Sequence, residues 1–249
     1  MALKDLEAVI LCGGLGTRLR PVVPEGPKCL APVGGRPFLE YLLCQLRSSG
    51  VRKAILCVGY RSEQMAEYFE NGERWDISLT YSVERQLLGT AGALKNAESL
   101  INHSPFFALN GDSILEADLP GLVEFHRAHY APATIALAHV PANGRYGSVR
   151  TDPQGYITEF SEKKRGANGA SKAGFEGGRI NGGVYVLDRE IFKMISPAPP
   201  AISLEREIFP RLAGRRICGF PVDGYFVDIG VPEDYARAQQ EIPRRFAPC

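Results

Sequence analysis

Over the first 140 residues, short apolar runs alternate with amphipathic segments. The run AVILC (8–12) stops at glycine and predicts a buried strand followed by a glycine loop. PFLEYLLCQLRSSG (37–50) has helical spacing and a glycine stop. AILCVGY (54–60) predicts the next strand. SEQMAEYFENG (62–72) predicts a helix capped by Ser62, with Glu63 and Glu67 in its early turns, where acidic groups suit the helix dipole. SLTYSVE (78–84), PFFALNGD (105–112) and ATIALAHV (133–140) predict further strands, separated by helices over AGALKNAESL (91–100) and LPGLVEFHRAHY (119–130). Such alternation predicts a mostly parallel sheet covered by helices on both faces.

The pattern changes after residue 140. GSVRTD, YITEFSEKK and INGGVYVLD predict short strands joined by turns, an antiparallel or mixed extension of the sheet. RGANGASKAGFEGG (165–178) is rich in glycine and small polar residues and reads as a loop, either a lid or a plain flexible connection. IFKMI and LEREIFPRLAG predict helices, ICGFPV and YFVDIG strands, and PEDYARAQQEI a closing helix with Pro232 near its first turn. SPAPPAIS (196–203) predicts a loop, and Arg244 and Arg245 a solvated tail. There is no repeat period and no hexapeptide run after residue 230. The expectation is one α/β domain over 1–249, without an appended β-helix.

Composition narrows the function classes. With 45% hydrophobic and 23% charged residues and a net charge of +1, the chain has the make-up of an ordinary globular protein. Proteins that track nucleic-acid phosphates concentrate positive charge, so no nucleic-acid partner is expected and any anion site must be built locally. The apolar start is too short for a signal peptide or membrane span, which gives a cytoplasmic expectation with no membrane partner. Cys12, Cys29, Cys44, Cys57, Cys218 and Cys249 show no C-x-x-C pair or zinc spacing. Those in apolar runs, Cys12, Cys44 and Cys57, read as buried free thiols, in keeping with a reducing compartment. His126 and His129, at i, i+3, read as surface residues rather than metal ligands, and His103 and His139 have no partner in sequence.

The glycine loop GGLGTRL (13–19) follows a buried strand, the place where open α/β sheets bind ligands. Glycines there let backbone N–H groups approach an anion. A P-loop needs G-x-x-x-x-G-K-[ST], and no lysine stands at that spacing. A dinucleotide fingerprint aligned on Gly14 and Gly16 would have Leu19 where close packing needs Gly or Ala, which disfavours an NAD-dependent oxidoreductase. What remains is a loop with Arg18 and, ten residues on, Lys28 in GPKCL. Two cations around a backbone cradle suit a triphosphate. Taken singly, each also reads as a surface cation beside a tight turn.

The string G-G-x-G-T-R-L…P-K-x-L-x-P-V resembles the signature of the sugar-phosphate nucleotidyltransferase family. LGTAGAL, LNGD, FSEKK, NGGVYVLD and FVDIGVPEDY follow in the family's order, so the resemblance covers essentially the whole chain. It implies a Rossmann-like α/β core with a nucleotide-binding part over about 1–140 and a sugar-binding part over about 141–230. Within the family the chain is most similar to guanylyltransferases of D-glycero-α-D-manno-heptose 1-phosphate and of mannose 1-phosphate. The implied reaction is Mg²⁺-dependent transfer of a guanylyl group from GTP to a sugar 1-phosphate, giving a GDP-sugar and pyrophosphate. Heptose is the first expectation and mannose the alternative. Thymidylyl or uridylyl transfer, and a catalytically silent subunit that binds nucleotide sugars, stay open. So does the choice between monomer and homo-oligomer.

By the same resemblance Leu11, Cys12, Gly13, Gly14, Gly16 and Thr17 form the nucleotide cradle, with Arg18 and Lys28 as its catalytic cations. Asp112, ending FFALNGD, and Asp228, ending YFVD, match the aspartates that hold the metal. Mg²⁺ prefers oxygen and is usually held by one or two carboxylates plus substrate phosphates. From the residues alone, N-G-D is also a common turn, and Asp228 also fits a cap before Gly230. Asp118 and Asp223 lie nearer to loops and are left aside. Gly89 and Thr90 match the nucleotide-contacting turn, and Glu84 a base-reading position. A carboxylate only accepts hydrogen bonds and guanine offers two adjacent donors, whereas uracil and thymine present one donor between two acceptors. Glu84 therefore suits guanine, although it also reads as an exposed strand-end acid. For the sugar, the resemblance assigns Tyr146, Gly147, Glu162, Lys163 and Asn181: Glu162 to the hydroxyls, Lys163 to the incoming phosphate and Asn181 to a ring hydroxyl. Glu162-Lys163-Lys164 also reads as a solvated charge run. No Ser-His-Asp or Cys-His arrangement stands out, and none is needed. A sugar 1-phosphate is already largely dianionic at neutral pH, its second pKa being roughly 6.

Overall fold

The computed structural model describes residues 2–14, 16, 19, 21–23, 26–141, 146–161, 178–196, 201–214, 216–246 and 249. The chain begins with β1 (Glu7–Leu11), a 3-10 turn over Lys28–Leu30, the hairpin of β2 (Pro32–Val33) and β3 (Arg36–Pro37), and helix α1 (Phe38–Ser48). Next come β4 (Lys53–Val58), α2 (Ser62–Phe69), β5 (Ser78–Val83) and α3 (Gly89–Asn96). They are followed by β6 (Phe106–Asn110), β7 (Ser113–Leu115), α4 (Leu119–His129) and β8 (Ala133–Val140). The second half holds β9 (Ser148–Thr151), β10 (Ile157–Ser161) and β11 (Gly178–Leu187). A π-helical turn over Leu204–Ile208 then runs into α5 (Phe209–Leu212), followed by β12 (Ile217–Val222), β13 (Phe226–Asp228) and α6 (Pro232–Arg245).

Seven strands form the central sheet in the order β12–β8–β11–β6–β1–β4–β5. Six run in one direction, and β11 opposes them between β6 and β8. The mixed, mostly parallel sheet agrees with the sequence pattern, but the position of β11 does not. The pattern puts INGGVYVLD in an extension of the sheet, whereas β11 is ten residues long and central. Its run Val184–Leu187 is buried throughout, as a strand with neighbours on both edges and layers on both faces must be. β9 and β10 form a small separate sheet.

Side chains alternate between two apolar layers. On β1, Ala8 and Ile10 face one layer and Val9 the other; on β4, Leu56 and Cys57 divide in the same way. Helices α1, α2, α4 and α6 contribute to the first layer. Helices α3 and α5, with the 3-10 turn Arg189–Met194, contribute to the second. Each fully buried Leu or Phe in these layers contributes about 1.5–3 kcal/mol. Among the described residues no helix is long and apolar enough to cross a membrane.

Several local expectations are corrected. Ser62 is the first residue of α2 and not its cap, which is Arg61 in a left-handed conformation (φ 52°). Arg244 and Arg245 close α6 because Ile242 anchors its last turn in the core, and Arg245 pairs with Glu116 at 3.4 Å. IFKMI lies in a 3-10 turn, and LEREIFPRLAG divides into the π-turn and α5. His126 is buried, with Nδ1 2.9 Å from Thr134 Oγ1, because its face of α4 turns toward β8. His103 meets Glu7 at 2.9 Å. Cys44 is not free but forms a disulfide with Cys249, and a separation of 205 residues leaves no local spacing to read. Cys12, Cys29, Cys57 and Cys218 are buried free thiols.

Candidate active site

Register brings the carboxyl ends of four parallel strands level. Leu11 pairs with Cys57 of β4 and Asn110 of β6, and Val58 pairs with Val83 of β5. The residues that follow, Cys12–Gly14, Gly59, Glu84 and Gly111–Asp112, therefore emerge at one edge of the sheet, where open α/β sheets bind ligands. Cys12 N–H donates to Cys57 O at 2.8 Å and Gly111 N–H to Leu11 O at 3.0 Å, so the ladder extends to the threshold of the glycine loop.

Asp228 reaches this edge from the far end of the chain. β13 lies antiparallel to β7 with Asp228 opposite Ser113, and Ile229 N–H donates to Asp112 O at 2.9 Å. Lys28 Nζ sits 2.6 Å from Asp112 Oδ2 and 3.8 Å from Asp228 Oδ1. Burial opposes the lysine charge, but attraction to the two aspartates and the hydrogen bond to Asp112 outweigh it, and its pKa is raised. The turn carrying Lys28 is braced by α6 through the neighbouring hairpin. Gln239 Oε1 accepts from Gly34 N–H at 3.0 Å, and Tyr235 OH donates to Pro32 O at 2.5 Å. Glycine is needed at the closest approaches. A Cβ on Gly230 would lie 2.7 Å from Asp228 Oδ1, and one on Gly111 2.8 Å from the sulfur atoms of both Cys12 and Cys29. Asp118 and Asp223 have other work: Asp118 caps α4 through Gly121 N–H, and Asp223 pairs with Arg179 at 2.7 Å.

Glu84 is buried, which corrects its reading as an exposed strand-end acid. Its Oε2 accepts from Leu88 N–H at 3.3 Å, and its Oε1 is buried with no partner among the described residues. Burial raises the carboxyl pKa, against the lowering effect of the Leu88 N–H. Glu84 lines a cleft of about 230 Å³ with Gly13, Gly59, Tyr60, Arg85, Gln86 and Leu87. Any side chain at position 13 would collide with the Glu84 carboxylate, so the glycine loop and the acid fit each other. Leu87, 53% exposed, gives the cleft an apolar wall beside an acceptor.

The remaining expected residues divide between the two parts. Leu11 ends β1. Gly14 has open space where a side chain would stand. Gly16 has a positive φ of 60° and lies over Lys28, whose Cβ is 3.4 Å from the position of an added Cβ. Thr17, Arg18, Glu162, Lys163 and nearly all of the loop 165–178 lie outside the described residues. Gly89, with φ 72°, opens α3 against the backbone of Ile202. The Thr90 hydroxyl donates to Glu205 Oε2 at 2.7 Å and accepts from Leu204 N–H at 2.8 Å. Asn181 Nδ2 donates to Tyr185 OH at 2.9 Å, and its Oδ1 accepts from Gly183 N–H at 3.0 Å. Tyr146 OH donates to Asp234 Oδ2 at 3.2 Å, and its ring meets Phe226 of β13 edge-on. Gly147 immediately precedes β9.

Three of the expected catalytic residues, Lys28, Asp112 and Asp228, thus meet at one point, and Glu84 meets Gly13 nearby. Sequence reasoning misses Gly59, Tyr60, Arg85, Gln86 and Leu87. The first two follow strand β4 directly, so the position of a glycine at a strand end is the signal that could have found them. It also misses Glu205, which has no such signal because LEREIF reads as a plain amphipathic helix.

A family model described as nucleotidyl transferase matches residues 7–245. The chain is 38% identical over 239 residues to the D-glycero-alpha-D-manno-heptose 1-phosphate guanylyltransferase of Aneurinibacillus thermoaerophilus, covering 95% of this chain and 98% of that one. It is also 38% identical over 236 residues to the mannose-1-phosphate guanyltransferase of Schizosaccharomyces pombe, covering 92% of this chain but 62% of that longer one. In structure it resembles HddC from Yersinia pseudotuberculosis complexed with GMP-PN, with a TM-score of 0.79, 32% identity, and coverage of 95% and 99% of the two chains.

Proposed function

The chain belongs to the nucleotidyl transferase family, and on that premise we propose that it moves the guanylyl group of GTP onto a sugar 1-phosphate. The first candidate acceptor is D-glycero-α-D-manno-heptose 1-phosphate, the substrate named for a relative that this chain covers almost end to end. Mannose 1-phosphate is the second. The observation that carries the proposal is the meeting of Asp112 and Asp228 on the Lys28 ammonium at one strand edge, beside the cleft lined by buried Glu84.

Two carboxylates with a buried lysine behind them fit Mg²⁺, a hard cation that needs only one or two protein carboxylates because substrate phosphates complete its shell. Bound there, Mg²⁺ would neutralise charge on the transferring phosphoryl group and the leaving pyrophosphate. The chain's own groups do the rest. Glu84 accepts from the guanine edge and fixes the base. The glycine loop offers backbone N–H groups to the phosphates, and Lys28 balances the aspartates so that a polyanion can approach them. In the reaction an oxygen of the sugar phosphate forms the new bond to the α-phosphorus, while the bond from that phosphorus to the bridging oxygen breaks and pyrophosphate leaves. The nucleophile carries its charge already, so no proton has to be abstracted, and positioning with electrostatic balance suffices. On the sugar side, after its bonds to Tyr185 and Gly183 the Asn181 amide still has an N–H and a lone pair, which is what a ring hydroxyl requires.

The test is a matrix of GTP, ATP, UTP and dTTP against heptose, mannose and glucose 1-phosphates with Mg²⁺, read by pyrophosphate release. GTP with heptose or mannose 1-phosphate is expected to turn over fastest. No release with any pair, or a preference for UTP or dTTP, overturns the proposal.

A further inference from the structure

Thr90 stands in the turn assigned to the nucleotide and Asn181 on the strand assigned to the sugar. One carboxylate outside both assignments joins them. Glu205 Oε2 accepts from Thr90 Oγ1 and from Ser203 Oγ, each at 2.7 Å, and its Oε1 accepts from Tyr185 OH at 3.3 Å. Tyr185 OH accepts in turn from Asn181 Nδ2 at 2.9 Å. A backbone seam runs beside these bonds. Ile202 N–H donates to Leu88 O at 2.9 Å, Ala91 N–H to Ile202 O at 2.9 Å, and Leu204 N–H to Thr90 Oγ1 at 2.8 Å. The segment before and into the π-turn therefore lies along the loop that follows Glu84. π-Helical turns are rare and are met disproportionately at functional sites. This one is held from within, since Ser203 Oγ accepts from Arg206 N–H at 3.2 Å and Ser203 N–H donates to Glu207 Oε1 at 2.9 Å.

The directions of the bonds matter. An ionised carboxylate only accepts, so each hydroxyl facing Glu205 must donate. The Tyr185 proton then points at Glu205, leaving its oxygen to accept from Asn181 Nδ2. Gly183 N–H holds the other end of the amide, so Asn181 cannot flip. The Thr90 hydroxyl is held likewise between Glu205 and Leu204 N–H.

We propose that Glu205 is a positioning residue that sets the nucleotide turn, through Thr90, and the sugar-reading amide of Asn181, through Tyr185, in a single geometry. This rests on the function proposed above. Its test compares Michaelis constants for GTP and for the sugar 1-phosphate in the parent chain and in Glu205→Gln, Tyr185→Phe and their combination, alongside melting temperatures. Glu205→Gln is expected to raise both constants, each about tenfold, as loss of one well-made hydrogen bond does. Tyr185→Phe deletes one oxygen from a core ring and is expected to raise the sugar 1-phosphate constant alone. In the Glu205→Gln background that second effect should vanish, because the connection is already cut. Glu205→Gln with both constants at parental values, whatever its melting temperature, overturns the inference, as does full additivity of the two substitutions. Should Glu205→Gln fail to fold, Tyr185→Phe decides alone: an unchanged sugar 1-phosphate constant overturns the inference. A parent chain that turns over no pair at all instead overturns the underlying function, and this inference with it.

Discussion

Where the nucleotide is proposed to bind, Glu84 Oε1 is buried with no partner among the described residues, and Lys28 is shared between two aspartates. Where the sugar is proposed to bind, the polar atoms of Asn181 are already engaged within the chain, as is the hydroxyl of Thr90 at the proposed junction. A buried unpaired acceptor costs about 1–3 kcal/mol, a burden tolerated where a ligand supplies the missing donor. Groups that are already paired hold a shape and offer only their remaining capacity. The contrast separates residues kept for the ligand's charge and edge from residues kept to fix the wall against which the ligand lies. Substitutions on the first side should cost activity, and should cost stability only where they leave like charges unbalanced.

The largest effect is expected from Asp112→Asn. It removes a carboxylate proposed to hold the metal and should lower turnover about 10³-fold, with the melting temperature close to parental. A turnover within tenfold of the parent would remove Asp112 from the chemistry. Lys28→Met should reduce turnover by about 10²-fold and should also lower stability, because it leaves the two aspartates facing one another without their ammonium. Rate assays with thermal melts distinguish these two outcomes. Glu84→Gln should narrow the preference for GTP over UTP by about 10- to 100-fold, as loss of a paired acceptor in a dry site does. The same substitution should hold or raise the melting temperature, since an ionised carboxyl whose pKa burial raises opposes folding. A selectivity unchanged by Glu84→Gln would assign base reading elsewhere.

The smallest effect is in pH. An acid with a raised folded pKa binds its proton more readily when folded. Stability attributable to Glu84 is therefore gained as pH falls through that raised value toward the ordinary 4.5, and is absent at neutral pH. Guanine's donors need the ionised form. GTP affinity should thus weaken on acidification across the same window, above 4.5, and Glu84→Gln should flatten that dependence in a calorimetric titration.

Much of this architecture is legible in the sequence because it is periodic. The strand–helix alternation of the first half gives the parallel strands, and Asp112, matched through the family's order, follows just after one of them. What is not legible depends on contacts that no local pattern encodes. Glu84 reads as an exposed strand-end acid, yet Asn96 of α3 donates to Ser82 Oγ at 2.8 Å and the covering elements bury both Ser82 and Glu84. INGGVYVLD has the composition of any short strand, and its insertion between β6 and β8 is decided by pairing. Asp228 is found by its place in the family's order, but its approach to Asp112 rests on the register of β13 with β7. The Glu205 connection lies deeper still, joining three segments by side-chain hydrogen bonds alone.

The central claim is tested most directly with GTP labelled at its α-phosphate, incubated with Mg²⁺ and heptose or mannose 1-phosphate. The account predicts that the label appears in a GDP-sugar, with one pyrophosphate released per molecule formed, and that Asp112→Asn slows both about 10³-fold. Tight binding of GTP or GDP-sugar by the parent chain without any transfer of label would contradict it and leave a nucleotide-sugar-binding protein in its place.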